Sequence, residues 1–146
     1  MPTEPSNNGR YAIVLGAVNL SSDSIKAILM DTGFTFDEDA HEGYADVSAS
    51  ELSTGNGYTA NTKTLTTLVV TQNDTTDRAE MTCDDITWTA STGNIGPSPG
   101  MILFDDDVTA SGDIVADVIL GYIDFGSEIT QSAGGTLTIQ NIQIDI

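Results

Sequence analysis

Hydrophobic positions along this chain recur mostly with a period of two, the signature of half-buried strands whose successive side chains point to opposite faces. Strand-like runs fall at 24–30, 63–71, 78–83, 86–90, 101–104, 114–124 and 136–146. The clearest is the last, where Leu137, Ile139, Ile142, Ile144 and Ile146 alternate with polar residues apart from one slip at Gln140-Asn141. A one-residue slip in a period of two predicts a β-bulge. The run 63–71 is dense in Thr, Val and Leu, and β-branched side chains favour a pleated surface. Turn-forming clusters separate the runs: 73–77, Thr92-Gly93-Asn94, Ser111-Gly112-Asp113 and Ala133-Gly134-Gly135. Only a short helical turn near 45–52 interrupts the β pattern, and there is no internal repeat. The prediction is an all-β, single-domain antiparallel β-sandwich or jelly-roll. Alternation alone does not separate a sandwich from a barrel.

Residues 1–10 hold Pro2, Pro5, Asn7, Asn8 and Gly9 without hydrophobic period and read as a polar N-terminal arm preceding a domain at 11–146. The longest apolar stretch, 11–20, is interrupted by Gly16 and Asn19 and falls well short of the roughly 18 residues that span a membrane as a helix. It also lacks signal-peptide flanks: Glu4 accompanies Arg10 before it, and no small-x-small site follows. No membrane partner is expected.

The chain has 146 residues, enough for one core without metal or disulfide support. Its 22 acidic and 4 basic residues give a formal charge of −18, which repels phosphate backbones and so opposes nucleic-acid binding. One cysteine, Cys83, precludes an internal disulfide, and one histidine, His41, precludes a multi-histidine metal site.

Three motifs bear on chemistry. Gly96-Pro97-Ser98-Pro99-Gly100 spells the nucleophile elbow of hydrolases, but Pro99 lacks the backbone N–H that would complete the oxyanion hole, and His41 precedes the serine rather than following it. The segment reads as a rigid surface loop, and no catalytic residue is assigned. Carboxylates cluster at 37–39, 84–85 and 105–107 without EF-hand spacing; solubility accounts for them, with calcium as the alternative use. Cys83 reads as a small buried hydrophobe and Trp88 as a core anchor rather than a sugar-stacking platform. No cofactor and no metal ligand is assigned.

A series of short anchors then runs through most of the chain. In order they are Ser24-Ile25-Lys26-Ala27-Ile28-Leu29-Met30; Phe36, Asp39 and His41; Asp46-Val47-Ser48 with Glu51; and Gly55-Asn56-Gly57-Tyr58. Asp84-Asp85-Ile86-Thr87-Trp88, Leu120-Gly121-Tyr122-Ile123-Asp124-Phe125-Gly126 and Gly135-Thr136-Leu137-Thr138-Ile139 complete it. This order resembles a family of small bacteriophage virion proteins that occur among capsid and tail structural components. The resemblance implies a structural virion protein without catalytic residues, and a charge of −18 suits the outer surface of a shell, away from packaged DNA. The function expected is that of a capsid decoration (cement) protein on the outer surface of the virion, assembled in the host cytoplasm, docking on the major capsid protein as a homotrimer at threefold or quasi-threefold points. The arm and the apolar residues after it are the expected docking elements, with Arg10, Tyr11, Ile13, Val14 and Leu15 as partner-binding residues. The alternative is a tail- or fibre-associated module that recognises a host-surface glycan through Trp88, Tyr44 and Tyr58.

Overall fold

The computed structural model describes residues 2–146 and bears out the all-β, single-domain fold. The strands are β1 (Pro2–Thr3), β2 (Ile25–Leu29), β3 (Lys63–Thr64), β4 (Val69–Asn73), β5 (Arg78–Thr82), β6 (Ile86–Thr89), β7 (Ile95–Asp105), β8 (Ile119–Gln131), β9 (Thr136–Ile139) and β10 (Gln143–Asp145). Two helices, α1 (Asn7–Val14) and α2 (Tyr44–Val47), and a 3₁₀ turn at Ser48–Ser50 complete the fold. One four-stranded sheet runs β3-β2-β7-β8, a second runs β1-β10-β5-β4, and β6 pairs with β9. All pairings are antiparallel except β1 with β10.

The β3-β2-β7-β8 sheet is central because β2, the second half of β7 and the start of β8 are buried on both faces. Ile25, Ala27 and Leu29 of β2 and Met101 and Leu103 of β7 point to one side, where they pack with Met81 and Ile144 of the second sheet and Ile86, Trp88 and Ile139 of the β6–β9 pair. Ile28, Met30, Ile102 and Phe104 alternate to the other side, beneath Val47, Phe34, Phe36, Tyr44 and Tyr122. The register places Ala27 opposite Leu103 and Ile28 opposite Ile102, so each face is apolar across both strands. A strand buried on both faces shows a continuous apolar run rather than alternation, which is why Met101-Ile102-Leu103-Phe104 is unbroken.

Glu51 links the two apolar layers at the edge of this sheet. Its segment bridges Met30, and the N–H of Leu52 donates to the carbonyl of Leu29 at 2.8 Å. The Glu51 carboxylate accepts from the Tyr44 hydroxyl at 2.8 Å, the Tyr58 hydroxyl at 2.7 Å and the N–H of Asn61 at 2.7 Å. Tyr44 stacks on Phe104 in one layer, at 4.9 Å between ring centroids, and Tyr58 packs beside Trp88 in the other, at 5.9 Å. The Tyr58 oxygen also accepts from the N–H of Leu29 at 3.0 Å. Burial and the hydrogen bond to Glu51 raise both phenol pKa values, that of Tyr44 to about 12. Both rings therefore stay protonated donors to a buried carboxylate.

The structure differs from the sequence expectations at five places. Residues 2–10 are not an arm: β1 joins the second sheet, and Ser6 caps α1 by accepting from the N–H of Gly9 at 3.0 Å. The Ser6 hydroxyl donates to the carbonyl of Ile119 at 2.9 Å, and the Asn8 amide donates to the carbonyl of Asp113 and accepts from Val115. A Cβ at Gly9 would stand 2.4 Å from the Ile119 oxygen, so the helix approaches β8 only because that residue is glycine. Polar bonds and close backbone approach leave no hydrophobic period to read. The run 63–71 divides into β3 and β4 because the chain leaves the central sheet for the second one there, with Thr67 at φ 55°. The slip at Gln140-Asn141 is likewise a change of sheet, not a bulge: β9 pairs with β6, β10 pairs with β5, and Asn141 turns between them at φ 54°. The expected loop 96–100 lies within β7, where register shifts on either side of Ser98 absorb the prolines that cannot donate to the ladder. The strand expected at 114–124 starts later, at Ile119, and runs on to Gln131.

Glu51→Ala is expected to leave two tyrosine hydroxyls and a backbone N–H without their acceptor, costing about 2–4 kcal/mol in urea unfolding. Glu51→Gln, which keeps one acceptor oxygen, is expected to cost roughly half as much; equal stability of Glu51→Ala and wild type would show that the carboxylate does not hold the layers together.

Candidate docking surface

The residues singled out for partner binding lie together on α1 and its C-cap. Ala12 faces the core, which turns neighbouring positions outward. Val14 is 84% exposed, Leu15 57% and Tyr11 42%, an unfavourable placement for three large apolar side chains on one short helix and its C-cap. Arg10 reaches Glu4 at 2.6 Å and Glu38 at 3.5 Å.

The sequence reading missed the rest of this surface. Among the described residues, the other large exposed hydrophobics are Val69 and Val70 of β4 and Ile146. Ile13 and Ile146 are shared by two adjoining hollows. One, of about 450 Å³, opens between α1 and the β5–β10 end of the second sheet, with Val14 on its wall and the Arg10–Glu4 and Arg78–Asp145 pairs at its rim. The other, of about 440 Å³, is lined by Val18, Leu20, Val70 and Ala79. α1, the edge strand β4 and residue 146 thus form one apolar surface containing two of the four basic residues of the chain, Arg10 and Arg78. β4 gave no signal by itself, because a half-buried valine and an exposed one look alike in a period-two pattern.

The remaining candidates are engaged in the fold. Ser98 is buried, and its hydroxyl donates to the carbonyl of Gly100 at 3.0 Å. His41 stacks on Phe34 at 5.3 Å, and its Nδ1 accepts from the N–H of Asp37 at 3.0 Å. Trp88 and Tyr58 are 4% and 2% exposed and offer no open stacking platform; Lys63 Nζ lies 5.4 Å from the Trp88 ring centroid. Cys83 is half-buried, and burial together with Asp84 and Asp85 pushes its thiol up to about 11, so it is protonated at neutral pH.

The acidic clusters disperse into separate contacts. Asp37 accepts from the N–H groups of Asp39 and Ala40, Glu38 reaches Arg10, and Asp39 pairs with the Asn7 amide. Asp84 accepts from the Thr66 and Thr67 hydroxyls, and Asp85 from the Gln140 amide. Asp106 pairs with Lys26 at 2.8 Å, and Asp107 accepts from the N–H of Ser24 at 2.8 Å. Asp105 is fully buried at the end of β7, with its Oδ1 accepting from the N–H of Asp107 at 2.9 Å. Burial, helped by the facing carboxyl of Asp23 and by the charge of Asp107 and opposed by that one N–H, pushes Asp105 up to about 7. Among the described residues, no group of three His, Cys, Asp or Glu side chains is arranged to hold a metal ion.

No family model matches the chain, and no curated protein or solved structure matches it.

Because Asp105 is raised from 3.8 to about 7 on folding, the folded state binds the extra proton between those values. Its contribution is fully present below about pH 4 and is lost as pH rises through about 7. Chemical denaturation of wild type from pH 4.5 to 8 is expected to show falling stability, and Asp105→Asn, neutral throughout, a much flatter profile. An unchanged slope in Asp105→Asn would assign the loss to general repulsion among the acids.

Proposed function

We propose that this chain is a bacteriophage capsid decoration protein that docks on the major capsid protein through the surface formed by α1, β4 and Ile146. One observation carries the reading: in a chain of charge −18, the exposed large apolar side chains of the described residues fall on three segments, α1 with its C-cap, β4 and Ile146, each of which contributes to the wall of one or both of two adjoining hollows. Exposed apolar patches of this kind mark interaction surfaces. The anchors that resemble small phage virion proteins support the assignment to a virion, and the strong acidity fits a position outside the shell.

The mechanism is one of linkage. A protein that binds the assembled shell and not its separated subunits stabilises the shell by its binding free energy, since opening must also break its contacts. The apolar surface supplies buried area at the junction, while the Arg10–Glu4 pair, exposed on both partners, sets orientation more than affinity. Association as a trimer at threefold points belongs to the same proposal.

Co-sedimentation with undecorated phage heads, before and after expansion, tests this. Wild type is expected to saturate expanded heads at about one copy per capsid subunit, as three copies around each threefold point require. Val14→Asp with Leu15→Asp is expected to weaken binding by about tenfold or more, with unchanged melting temperature because both positions are exposed. Failure of wild type to bind either form of the head would contradict the proposal.

A further inference from the structure

The β1-β10-β5-β4 sheet ends in β4, and this edge differs from the other edges of the two four-stranded sheets. β1 and β3 are two residues long, the former beginning at Pro2 and the latter carrying Lys63, and β8 carries Asp124 and Glu128. Short length, proline and charge are the devices that keep sheet edges from pairing. β4 has none of them. Its sequence is Val69-Val70-Thr71-Gln72-Asn73, its first four residues are exposed, and it pairs through all five residues with β5 on one side only. Its outer backbone N–H and C=O groups are thus free to pair with an added strand.

Two further observations say what such a strand looks like. Val70 lies opposite Met81 and shares its face of the sheet, and on that face Val70 lines the 440 Å³ hollow with Val18, Leu20 and Ala79. An added strand would project alternate side chains over the same face, so apolar residues at every second position would enter the hollow. The surrounding charge is negative: Asp74, Asp77 and Glu80 lie in the β4–β5 hairpin, and its one cation, Arg78, is held by Asp145 at 2.7 Å. The positions between the apolar ones therefore suit lysine or arginine.

We infer that β4 is a strand-addition site for an extended segment of the partner in which apolar residues alternate with basic ones. This rests on the reading of the α1–β4 surface as the docking surface and specifies how that surface is used. Backbone pairing supplies the affinity, the hollow selects the apolar positions, and the surrounding acids select the basic ones.

The probe is a capped heptapeptide of alternating valine and lysine, titrated into isotopically labelled protein at about 0.15 M salt, where diffuse attraction is screened beyond about 8 Å. Saturable amide shifts over 69–73 and at Ala79 are expected, with little effect from the same peptide carrying glutamate for lysine or glycine for valine. Val70→Lys, which introduces a charge at an exposed edge position, is expected to reduce peptide affinity at least tenfold with no change in melting temperature. Shifts confined to the acidic loops, or equal binding by Val70→Lys, would overturn the inference. Broadening of β4 resonances with protein concentration alone would overturn it too, by assigning the edge to a second copy. Co-sedimentation of wild type and Val70→Lys with expanded heads separates the two levels. Equal binding by both would defeat strand addition while leaving capsid docking intact; peptide binding along β4 without capsid binding would do the reverse.

Discussion

Strands with no solvent face, β2 and the second half of β7, must be covered twice, and the rest of this structure follows from that constraint. Met101 to Phe104 alternate between two apolar layers and are fully buried in both directions. One cover is the second sheet with the β6–β9 pair, and the other is the chain from Phe34 to Val47. The covers are far apart in sequence, and Glu51 joins them. Its two oxygens hold Tyr44 and Tyr58, one from each layer. A buried carboxylate is unfavourable unless its lone pairs are occupied, and here three donors occupy them.

The same demand for cover explains where the surface is apolar. The second sheet shields the core with Met81 and Ile144, but its outermost strand, β4, has no neighbour beyond it. Helix α1 shields the adjoining region with Ala12 on one side and is left with Tyr11, Val14 and Leu15 on the other. Helix α1 turns one face to the core and the other to solvent, and β4 is exposed at its first four residues. Elsewhere, many of the acids are tied to backbone N–H groups, hydroxyls or the few cations. The contrast between an anionic body and an end where exposed apolar side chains lie beside paired charges is the physical basis of the docking proposal.

Much of the architecture was legible because alternation reports faces directly. The strands around Ala27, Met81, Trp88, Met101 and Leu137 were found, as was the helical turn at Tyr44–Val47. The misses share a cause. At Thr67 and at Asn141 the chain passes from one sheet to another, and a local pattern records a change of phase without recording a change of partner. Residues 2–10 were hidden because Ser6, Asn8 and Gly9 join the fold through hydrogen bonds and close approach, not through apolar burial. For the surface, Arg10, Tyr11, Ile13, Val14 and Leu15 were named from the arm and the apolar stretch after it, whereas Val70 and Ile146 became part of it only when the fold brought them beside α1.

Hydrogen–deuterium exchange on free and head-bound protein tests the central claim most directly, because it reports the contacted surface without any substitution. The account expects added protection concentrated at 11–20 and 69–73, with the loop 34–43 and the outer half of β8 exchanging as in the free protein. Protection concentrated at 34–43 and β8, with α1 and β4 unchanged, would place the docking surface on the opposite cover and contradict the account.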